Sequence, residues 1–483
     1  MNCIVTLDVG TTHIKGYLFQ LDGRKLNQVI CPTSYLKQEC GISEIDPDQV
    51  LSSISTILKA LLHGGPTVTA VDAIVISGMA CSFIPVDRQG QPLYPCVCWN
   101  DQRSARTVEL SDFHDMHHLF QQHPLPMYLP FRIQWFFENN PQIASETYKW
   151  LNLTDYVLYH LSEQKKFITD YSQASRTMLF NSLTKEWNSA LTDHFNLSIE
   201  QLPAPRPSGS RIGPLDKRYR QGAAYSNTQL ILGGHDHMFA ALAGGTHDKS
   251  SALNSTGTSE ALVVPYLNNP ALSFFNDECN LESHVIDNEL FIVGYVASTG
   301  KIMEWANQLF HLFKWEQRSD FGALWKEHLR RLPLFIPWGR RMQPSRTGHF
   351  INIESQHNEV DFSLGVLEGI ALETRALLHH LNTKLNLQTD LVRLVGGSSK
   401  SVNFLQMKST IMNKPIEVIH GVDMTSLGGF ILSGLALKKF SDVNQAAARV
   451  LHHQKKILLE PDIEVASHYE TRYQLYLQER GTS

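Results

Sequence analysis

Two aspartates stand where a predicted strand of this 483-residue sequence gives way to a turn or a helix. The first, Asp8, ends an apolar, β-branched segment and precedes the turn Gly10-Thr11-Thr12. Glycine lets a ligand approach the backbone closely, and turn N–H groups and threonine hydroxyls can surround phosphate oxygens. Asp8 could hold Mg²⁺ directly or through water. An ordinary hairpin turn beside a capping Asp is the alternative.

The second aspartate, Asp236, lies in the segment Gly233-Gly234-His235-Asp236-His237, between a predicted strand at 229–232 and a predicted helix at 238–243. Ligands gather at such strand ends in open α/β sheets. Asp236 could accept the proton of a hydroxyl as that hydroxyl attacks a phosphorus atom. Two other interpretations remain open. Asp236 could be the N-cap of the following helix, or the His-Asp-His sequence could bind a metal ion.

A third group combines an aromatic ring, an amide, a carboxylate and a guanidinium within the segment Trp99-Asn100-Asp101-Gln102-Arg103. The ring suits the face of a sugar, and the polar groups suit its hydroxyls. This segment therefore predicts a site for a hydroxyl-rich ligand. A surface salt bridge beside a buried Trp is the alternative interpretation.

Two glycine-containing turns occur in the second half of the chain. Gly257-Thr258-Ser259 repeats the pattern of the first turn, so that two hairpins could grip a nucleoside triphosphate between them. The segment Gly396-Gly397-Ser398-Ser399-Lys400-Ser401 follows a predicted strand and opens a predicted helix, where a backbone could approach a phosphate-bearing ligand. This segment is not a Walker A loop, since it lacks the Gly before Lys and the required spacing. A plain strand-to-helix turn with Ser caps is the alternative.

The elements that must position these residues alternate between strands and helices, which predicts a layered α/β fold. A hairpin is expected at 3–9 and 14–21, a helix at 50–62 and a strand at 71–77. The middle, 104–225, reads as helical with a loop at 203–214. A strand-turn-strand pattern like that of the opening hairpin returns at 251–264, which predicts two related domains, 1–245 and 246–483. Three tyrosines in the tail, at 469, 473 and 476, predict a docked closing helix.

Composition excludes several classes of function. The chain carries 42 Lys and Arg against 47 Asp and Glu, a net charge of −5, and it has no basic run. A general nucleic-acid binder would need a basic patch. No apolar stretch reaches the ~18 residues of a transmembrane helix, so no membrane partner is expected. Seven scattered cysteines do not predict a disulfide framework, and a reducing, cytoplasmic location is expected.

Taken together, these segments resemble the FGGY family of carbohydrate kinases, in family order and over essentially the whole chain. The matching segments are Asp8-Val9-Gly10-Thr11-Thr12 (first phosphate motif), Glu44-Ile45-Asp46-Pro47 (acidic loop), Trp99-Asn100-Asp101-Gln102-Arg103 (sugar motif, in its xylulokinase form), 169–175 (Thr-Asp-x-Ser-x-Ala-Ser), Gly234-His235-Asp236 (catalytic base), Gly257-Thr258-Ser259 (second phosphate motif), 396–401 (adenosine motif) and 425–429 (small-residue helix start).

The resemblance implies two domains of the actin/hexokinase-type (ribonuclease H-like) fold with an interdomain cleft. The N-terminal domain would hold the sugar and the C-terminal domain the nucleotide. The implied activity is transfer of the γ-phosphoryl group of ATP, with Mg²⁺, to a hydroxyl of a pentulose, a polyol or a sugar acid. The implied roles are a general base (Asp236), sugar contacts (Cys81, Asn100, Asp101, Asp236, His237), phosphate contacts (Thr11, Thr12, Gly257, Thr258), adenosine contacts (Gly300, Gly397, Ser398) and a Mg²⁺ ligand (Asp8). A homodimer is also expected, since dimers are frequent among sugar kinases.

Three departures from the family pattern bear on this expectation. Ser398 replaces the third Gly of the adenosine motif, and the loop at 339–344 is altered. Met79-Ala80-Cys81 stands where xylulokinases carry Gln-Met-His, and the Arg-Glu pair of glycerol kinases is missing there, which disfavours glycerol. The changes leave two alternatives to a kinase. One is a catalytically inactive or regulatory protein on a kinase scaffold, and the other is an actin-like or chaperone-like ATPase that needs no second substrate.

Overall fold

The computed structural model of the protein describes residues 1–63, 67–111, 116–245, 250–257, 259–266, 279–338, 347–397, 401–420 and 423–481. The chain divides into two compact units. The first unit comprises Met1–Gly245, Leu281–Leu290 and Val422–Gln454, and the second comprises Thr246–Asn280, Phe291–Gly421 and Lys455–Ser483. The chain first passes from the first unit to the second after residue 245, which is where the sequence predicts the division between domains. The two later segments that join the first unit left no recognisable signal in the sequence.

The described strands are β1 (Asn2–Val9), β2 (His13–Gln20), β3 (Lys25–Pro32), β4 (Tyr35–Glu39), β5 (Ile42–Ile45), β6 (Ala70–Gly78), β7 (Phe83–Val86), β8 (Cys96–Val97), β9 (Lys149–Asn152), β10 (Ile168–Asp170), β11 (Phe180–Asn181), β12 (Glu186–Trp187), β13 (Ala204–Arg206), β14 (Arg211–Pro214), β15 (Gln229–His235), β16 (Ser251–Thr256), β17 (Glu260–Pro265), β18 (Cys279–Ser283), β19 (Leu290–Tyr295), β20 (Leu334–Ile336), β21 (His349–Ile351), β22 (Leu391–Gly396), β23 (Ile416–His420) and β24 (Lys455–Leu459).

The described α-helices are α1 (Pro47–Leu61), α2 (Ala105–Leu110), α3 (Leu129–Asn139), α4 (Pro141–Glu146), α5 (Leu153–Leu161), α6 (Tyr171–Ser175), α7 (Ser189–His194), α8 (Asp236–Gly244), α9 (Thr299–Phe310), α10 (Leu312–Glu316), α11 (Phe321–His328), α12 (Glu359–Leu385), α13 (Val402–Met412), α14 (Met424–Ala436), α15 (Val443–Leu451) and α16 (Ile463–Arg480). None of the helices in the described ranges is long and apolar enough to cross a membrane.

A six-stranded sheet in the order β14-β15-β6-β1-β2-β3 forms the centre of the first unit. The expected opening hairpin is confirmed as the antiparallel pair β1–β2, while β1, β6 and β15 run parallel. Helix α1 packs against β2 at Gly16, where an added Cβ would lie 2.2 Å from Ile57 Cγ2. Helices on a twisted, mostly buried sheet require such apolar, small-residue contacts. The sheet carries the first phosphate motif and the Asp236 segment at strand ends.

Helix α14 shows what the small residues at 425–429 do. A Cβ on Gly428 would lie 2.1 Å from the Phe239 carbonyl oxygen of α8, and one on Gly429 would lie 3.1 Å from Thr6 Cγ2 of β1. These glycines therefore let α14 approach both α8 and the sheet of the first unit. The contact matters for the site because α8 begins at Asp236.

In the second unit the strands β19, β17, β16, β22, β23 and β24 are neighbours in one sheet, in that order. The returning strand-turn-strand pattern is confirmed as the antiparallel pair β16–β17, and β16 pairs in parallel with β22. The expected closing helix is α16, on which Tyr469, Tyr473 and Tyr476 are all buried. The two halves of the chain thus share the hairpin that opens each sheet.

The middle of the first unit differs from the expectation. The expected loop at 203–214 contains β13 and β14, which pair at edges with β10 and β15. Proline is compatible with edge strands, so the prolines that indicated a loop did not exclude pairing. A second sheet, in the order β4-β5-β8-β7-β9, was also missed. Its strands are only two to five residues long and show little alternation of burial.

Candidate active site

Strand register brings the two aspartates to one edge of the first unit's sheet. Asp8 of β1 pairs with Ser77 of β6, and Gly234 of β15 pairs with the same Ser77. The carboxyl ends of the neighbouring parallel strands β1, β6 and β15 therefore form one row. Asp8 lies at the β1 end of this row, and Asp236 directly follows β15 at the other end. Gly233 is needed for this approach, because a Cβ there would lie 1.7 Å from the Ile76 carbonyl oxygen. Such an edge is the usual ligand position in α/β sheets.

Asp8 is a buried carboxylate in an acidic neighbourhood. Lys15 Nζ lies 3.5 Å from Asp8 Oδ2 and 2.6 Å from Asp423 Oδ2. Burial, the charge of Asp423 and that of Asp236 raise the pKa of Asp8 to about 8, and Lys15 offsets only part of this rise. Carboxylate oxygens are the preferred ligands of Mg²⁺, and a divalent cation would relieve the repulsion between these acids. The donor set at Asp8 therefore fits Mg²⁺.

The first phosphate turn is connected to the sugar motif. Trp99 Nε1–H donates to the Thr11 hydroxyl oxygen (3.2 Å), and the Tyr35 hydroxyl donates to the Thr11 carbonyl oxygen (3.0 Å). Thr12, next along the turn, is exposed. The structure thus brings Trp99 to the turn whose backbone and hydroxyls were predicted to bind phosphate.

Asp101 is an internal anchor of the sugar motif. It is completely buried, and its carboxylate accepts from the Ser43 N–H (2.8 Å) and is ion-paired with Arg103 (2.8 Å) and Arg132 (3.1 Å). Burial would raise the pKa of Asp101, but Arg103 and Arg132 outweigh it and lower that pKa. The alternative interpretation, a surface salt bridge beside a buried Trp, is correct in the ion pair but wrong in the burial, since the pair is buried and Trp99 is half-buried. A direct sugar contact by Asp101, or by the half-buried Asn100, stays a prediction.

Cys81 lies inside the first unit with a left-handed backbone conformation (φ +58°), and its Sγ–H donates to the Arg176 carbonyl oxygen at 3.2 Å. The thiol is fully buried. Its position connects the departure at 79–81 with the Arg176 region. A sugar contact by Cys81 stays a prediction.

Asp236 is the first residue of α8, and the N-cap is His235. The interpretation of Asp236 as the N-cap is therefore wrong. Its Oδ1 accepts from the His237 N–H at 2.7 Å, and its side chain is 28% exposed, unlike the buried Asp8. Burial lowers the pKa of His237 to about 4, so this ring is neutral. Asp236 is thus an accessible carboxylate beside a neutral imidazole.

Behind Asp236 lies a row of titratable groups, and the sequence patterns did not identify the inner two, Glu282 and Arg176. His235 Nε2 lies 3.2 Å from Asp236 Oδ1, and His235 Nδ1 lies 3.3 Å from Glu282 Oε2. Glu282 Oε1 pairs with Arg176 at 2.7 Å. Burial would raise the pKa of Glu282, but Arg176 and His235 outweigh it and lower that pKa to about 2. No local pattern marked Glu282, because it lies 106 residues from Arg176 in the sequence.

The His-Asp-His sequence brings three possible metal-ligand atoms within 4.8 Å of one another. The group lies at the N-terminus of α8, however, where the helix dipole disfavours a cation. His235 Nε2 is also directed at Asp236. These features favour a proton-accepting role for Asp236 over a metal site.

The second unit holds a cavity of about 580 Å³ that is large enough for a nucleoside. Three predicted nucleotide residues line it together: Gly257, Gly300 and Gly397. The parallel pairing of Thr256 with Gly396 places the β16 turn beside the end of β22. The cavity is lined by Gly257, Gly300, Met303, Glu304, Phe313, Glu316, Gln317, Gly397, Ser401, Val402 and Asn403. Thr258 and Ser398 lie outside the described residues.

A buried ionic network supports the second phosphate turn. Glu260 follows that turn and is completely buried, as is Lys408 of α13, whose Nζ lies 2.5 Å from Glu260 Oε1. Lys408 also donates to Asn254 Oδ1 (2.8 Å), and Thr299 donates to Glu260 Oε2 (2.9 Å). Burial lowers the pKa of Lys408, and Glu260 offsets part of this shift. The network ties the β16–β17 hairpin to two helices.

For the kinase activity that the family resemblance implies, we expect Gly396→Ala to raise the KM for ATP about tenfold or more and to leave the KM for the sugar unchanged. Gly396 has φ +99°, and a Cβ there would lie 1.9 Å from the Thr256 carbonyl oxygen. Strain of roughly 1–3 kcal/mol would displace the end of β22 and, with it, Gly397. Steady-state kinetics and ATP calorimetry measure the effect. Gly322→Ala is the matched control, since no atom lies within 4 Å of its Cβ position, and an equal effect in both variants would contradict the prediction.

Comparison with known proteins supports the same interpretation. The sequence profile described as "FGGY family of carbohydrate kinases, N-terminal domain" matches residues 3–243, and the corresponding C-terminal profile matches residues 252–437. The two profiles together cover most of the chain.

Individual relatives are distant but span the whole length. The chain is 24% identical to a xylulose kinase of Staphylococcus xylosus, over 99% of both chains. The crystal structure of a ligand-bound xylulose kinase from Lactobacillus acidophilus is similar with a TM-score of 0.89 at 22% identity, covering 99% of this chain and 98% of that one. The crystal structure of a gluconate kinase from the same organism also has a TM-score of 0.89. It is 21% identical in sequence, and the match covers 99% of this chain and 97% of that one. These structures establish the actin/hexokinase-type fold.

Proposed function

Because the chain belongs to the FGGY family of carbohydrate kinases and is therefore an ATP-dependent carbohydrate kinase, we propose that Asp236 is its general base and that its substrate is a neutral ketose or polyol. The observation that carries the proposal is the strand register, which aligns Asp236 and Asp8 along one edge of the sheet. Asp236 is the more accessible of the two.

In this mechanism Asp236 accepts the proton of the sugar hydroxyl while the hydroxyl oxygen attacks the γ-phosphorus of ATP. Because the His237 ring is neutral, it accepts a hydrogen bond from the sugar or donates one to it without adding charge to the site. Thr11, Thr12 and the second turn (Gly257, Thr258) contact the phosphates. Gly300, Gly397 and Ser398 contact the adenosine, which the cavity of the second unit supports for the two glycines.

Asp8 is the proposed ligand of Mg²⁺. Its support is the acidic neighbourhood of a buried carboxylate that Lys15 neutralises only in part. When bound, Mg²⁺ would neutralise charge on the phosphoryl oxygens. Asp423, which the sequence comparison did not single out, would compete with Asp8 for Lys15 and so leave Asp8 freer to bind the cation.

The charges of the first unit favour a neutral sugar over a sugar acid. A substrate carboxylate needs a cation that is not already neutralised. The described cations of these segments are each ion-paired: Lys15 with Asp8 and Asp423, Arg103 and Arg132 with Asp101, and Arg176 with Glu282. The proposed substrate is therefore a five-carbon ketose or an open-chain polyol.

The test is ADP release with Mg·ATP against xylulose, ribulose, xylitol, glycerol and gluconate. We expect a neutral ketose or polyol to stimulate release at least tenfold over gluconate. Strongest stimulation by gluconate would reject the neutral substrate. ATP bound in calorimetry without stimulation by any of the compounds would favour the inactive scaffold, and sugar-independent hydrolysis would favour an ATPase.

We further propose that residues 1–245 carry the sugar contacts and the base and that residues 246–483 carry the adenosine contacts. A cytoplasmic location is proposed from the seven cysteines, all of which are free thiols. A homodimer stays a prediction, and gel filtration with light scattering would measure it.

A further inference from the structure

The geometry points to Glu282 as a positioning residue that acts on the catalytic base through His235. This inference rests on the proposed role of Asp236. In the row Arg176, Glu282, His235, Asp236, each group contacts the next at 2.7–3.3 Å. We refer to these four residues as the base-support row.

The row fixes which oxygen of Asp236 is free to react. Oδ1 is contacted by His235 Nε2 at 3.2 Å and accepts from the His237 N–H at 2.7 Å. Among the described residues no hydrogen bond reaches Oδ2. With Oδ1 held on two sides, Oδ2 is the atom that faces the substrate and takes its proton. An oriented carboxylate of this kind avoids the entropy loss of finding the reactive geometry.

Burial increases toward the inner end of the row. The Asp236 side chain is 28% exposed, that of His235 is 6% exposed and that of Glu282 is not exposed. Glu282 can remain charged in this position because the buried Arg176 neutralises it. The Glu282 carboxylate lies 3.3 Å behind His235 Nδ1 as an electrostatic contact rather than a hydrogen bond, and this contact favours the ring orientation that places Nε2 beside Asp236. His235 Nε2 is thereby directed at Asp236.

Glu282 reaches this position from the second half of the chain, in the segment Leu281–Leu290 that belongs to the first compact unit. The same segment is tied to the Arg176 region a second time, since the Ser283 N–H donates to Ser175 Oγ (3.3 Å). Glu282 and Ser283, which are adjacent in the segment, thus contact Arg176 and Ser175, which are adjacent at the C-terminal end of α6. This double contact fixes the segment to the end of α6 beside His235.

The experiment is a double-mutant cycle with Glu282→Gln and His235→Asn in the full-length enzyme, using the neutral sugar that gives most ADP release. We expect Glu282→Gln to lower kcat about tenfold with the sugar KM changed less than twofold. In the His235→Asn background the same change should lower kcat less than twofold, because Glu282 acts through His235. Equal losses in both backgrounds would overturn the inference.

The pH profile of kcat/KM separates positioning from a merely structural role. Charged and titratable groups around Asp236 are His235, His237, Asp8 and, through His235, Glu282 with Arg176. Glu282→Gln removes a negative charge from the row, so the ionised base is favoured and the acid limb moves to lower pH. His235→Asn removes the ring nitrogen that lies 3.2 Å from Asp236 Oδ1, so the ionised base loses a favourable polar contact and the acid limb moves to higher pH. An acid limb that stays in place in both variants would overturn the inference.

Glu289→Gln is the matched control. Glu289 lies on the same segment and faces a histidine in the same way, with its Oε2 3.2 Å from His284 Nδ1, but it is not part of the base-support row. Its kcat and pH profile should match the wild type. Thermal denaturation checks that each variant is folded. If Glu282→Gln does not fold, the pH profile of His235→Asn alone tests the inference. Full turnover in Asp236→Asn would reject Asp236 as the base. If Asp236→Asn is inactive but the effects of Glu282→Gln and His235→Asn are additive, only the role of Glu282 is rejected.

Discussion

Asp236→Asn is expected to lower kcat at least 10²-fold, the lower end of general-base effects, while ATP binding is retained. Asn has the same shape, and its amide oxygen can still accept from the His237 N–H as Asp236 Oδ1 does. It cannot take a proton from the sugar hydroxyl. The loss should therefore appear in kcat and leave the fold of the α8 start unchanged.

ADP release with saturating sugar gives kcat, and calorimetry gives the affinity for ATP. Asp193→Asn on α7 is the control, because it makes the same chemical change at an exposed position of the same unit. We expect it to retain full turnover. Near-normal turnover in Asp236→Asn would reject the assignment of the base. Loss of ATP binding in that variant would mean that the change disrupts the structure rather than the chemistry.

The second large effect concerns stability. Lys408→Met is expected to lower the free energy of unfolding by about 3–5 kcal/mol, the usual cost of removing one partner of a buried ion pair. Glu260 would remain completely buried without its cation, and Asn254 would lose the Lys408 ammonium as a donor. The midpoint of urea-induced unfolding reports the loss.

Two further variants test the cause of that loss. Lys408→Met combined with Glu260→Gln should recover at least half of the stability, since no unpaired buried charge remains. Lys314→Met is the control for removing an ammonium group: its Nζ lies 3.6 Å from Glu359, but its side chain is 63% exposed. Exposed pairs contribute about 0–1 kcal/mol. Equal losses at positions 408 and 314 would show that the buried pair adds no stability.

Local patterns predicted much of the fold. The β1–β2 and β16–β17 hairpins, the helix at α1 and the strand-to-helix transition at Asp236 each depend on a few successive residues. Alternating or continuous apolar side chains, glycines and turn residues determine such elements within a short stretch of chain. The short strands β13 and β14 were missed because only their partners β10 and β15 make them strands.

Local patterns also singled out the two aspartates of the candidate site and two glycines that line the cavity of the second unit, Gly257 and Gly397, whereas Gly300 was predicted from the family resemblance alone. The two aspartates lie at or next to the end of a strand, where a short stretch of sequence marks the change from strand to turn or helix. For Asp101 the sequence could not separate a sugar contact from a salt bridge, because the distinction depends on its burial against Arg132.

Only the tertiary structure identified the groups that set the charge of the site. Glu282 lies 106 residues from Arg176, and Asp423 lies 408 residues from Lys15. Both belong to segments with which the second half of the chain re-enters the first unit. A buried charge requires a partner because desolvation is costly, but the partner can come from any segment that the topology brings near. The sequence by itself therefore determined which residues are candidates for the site, and long-range packing decided which charges lie beside them.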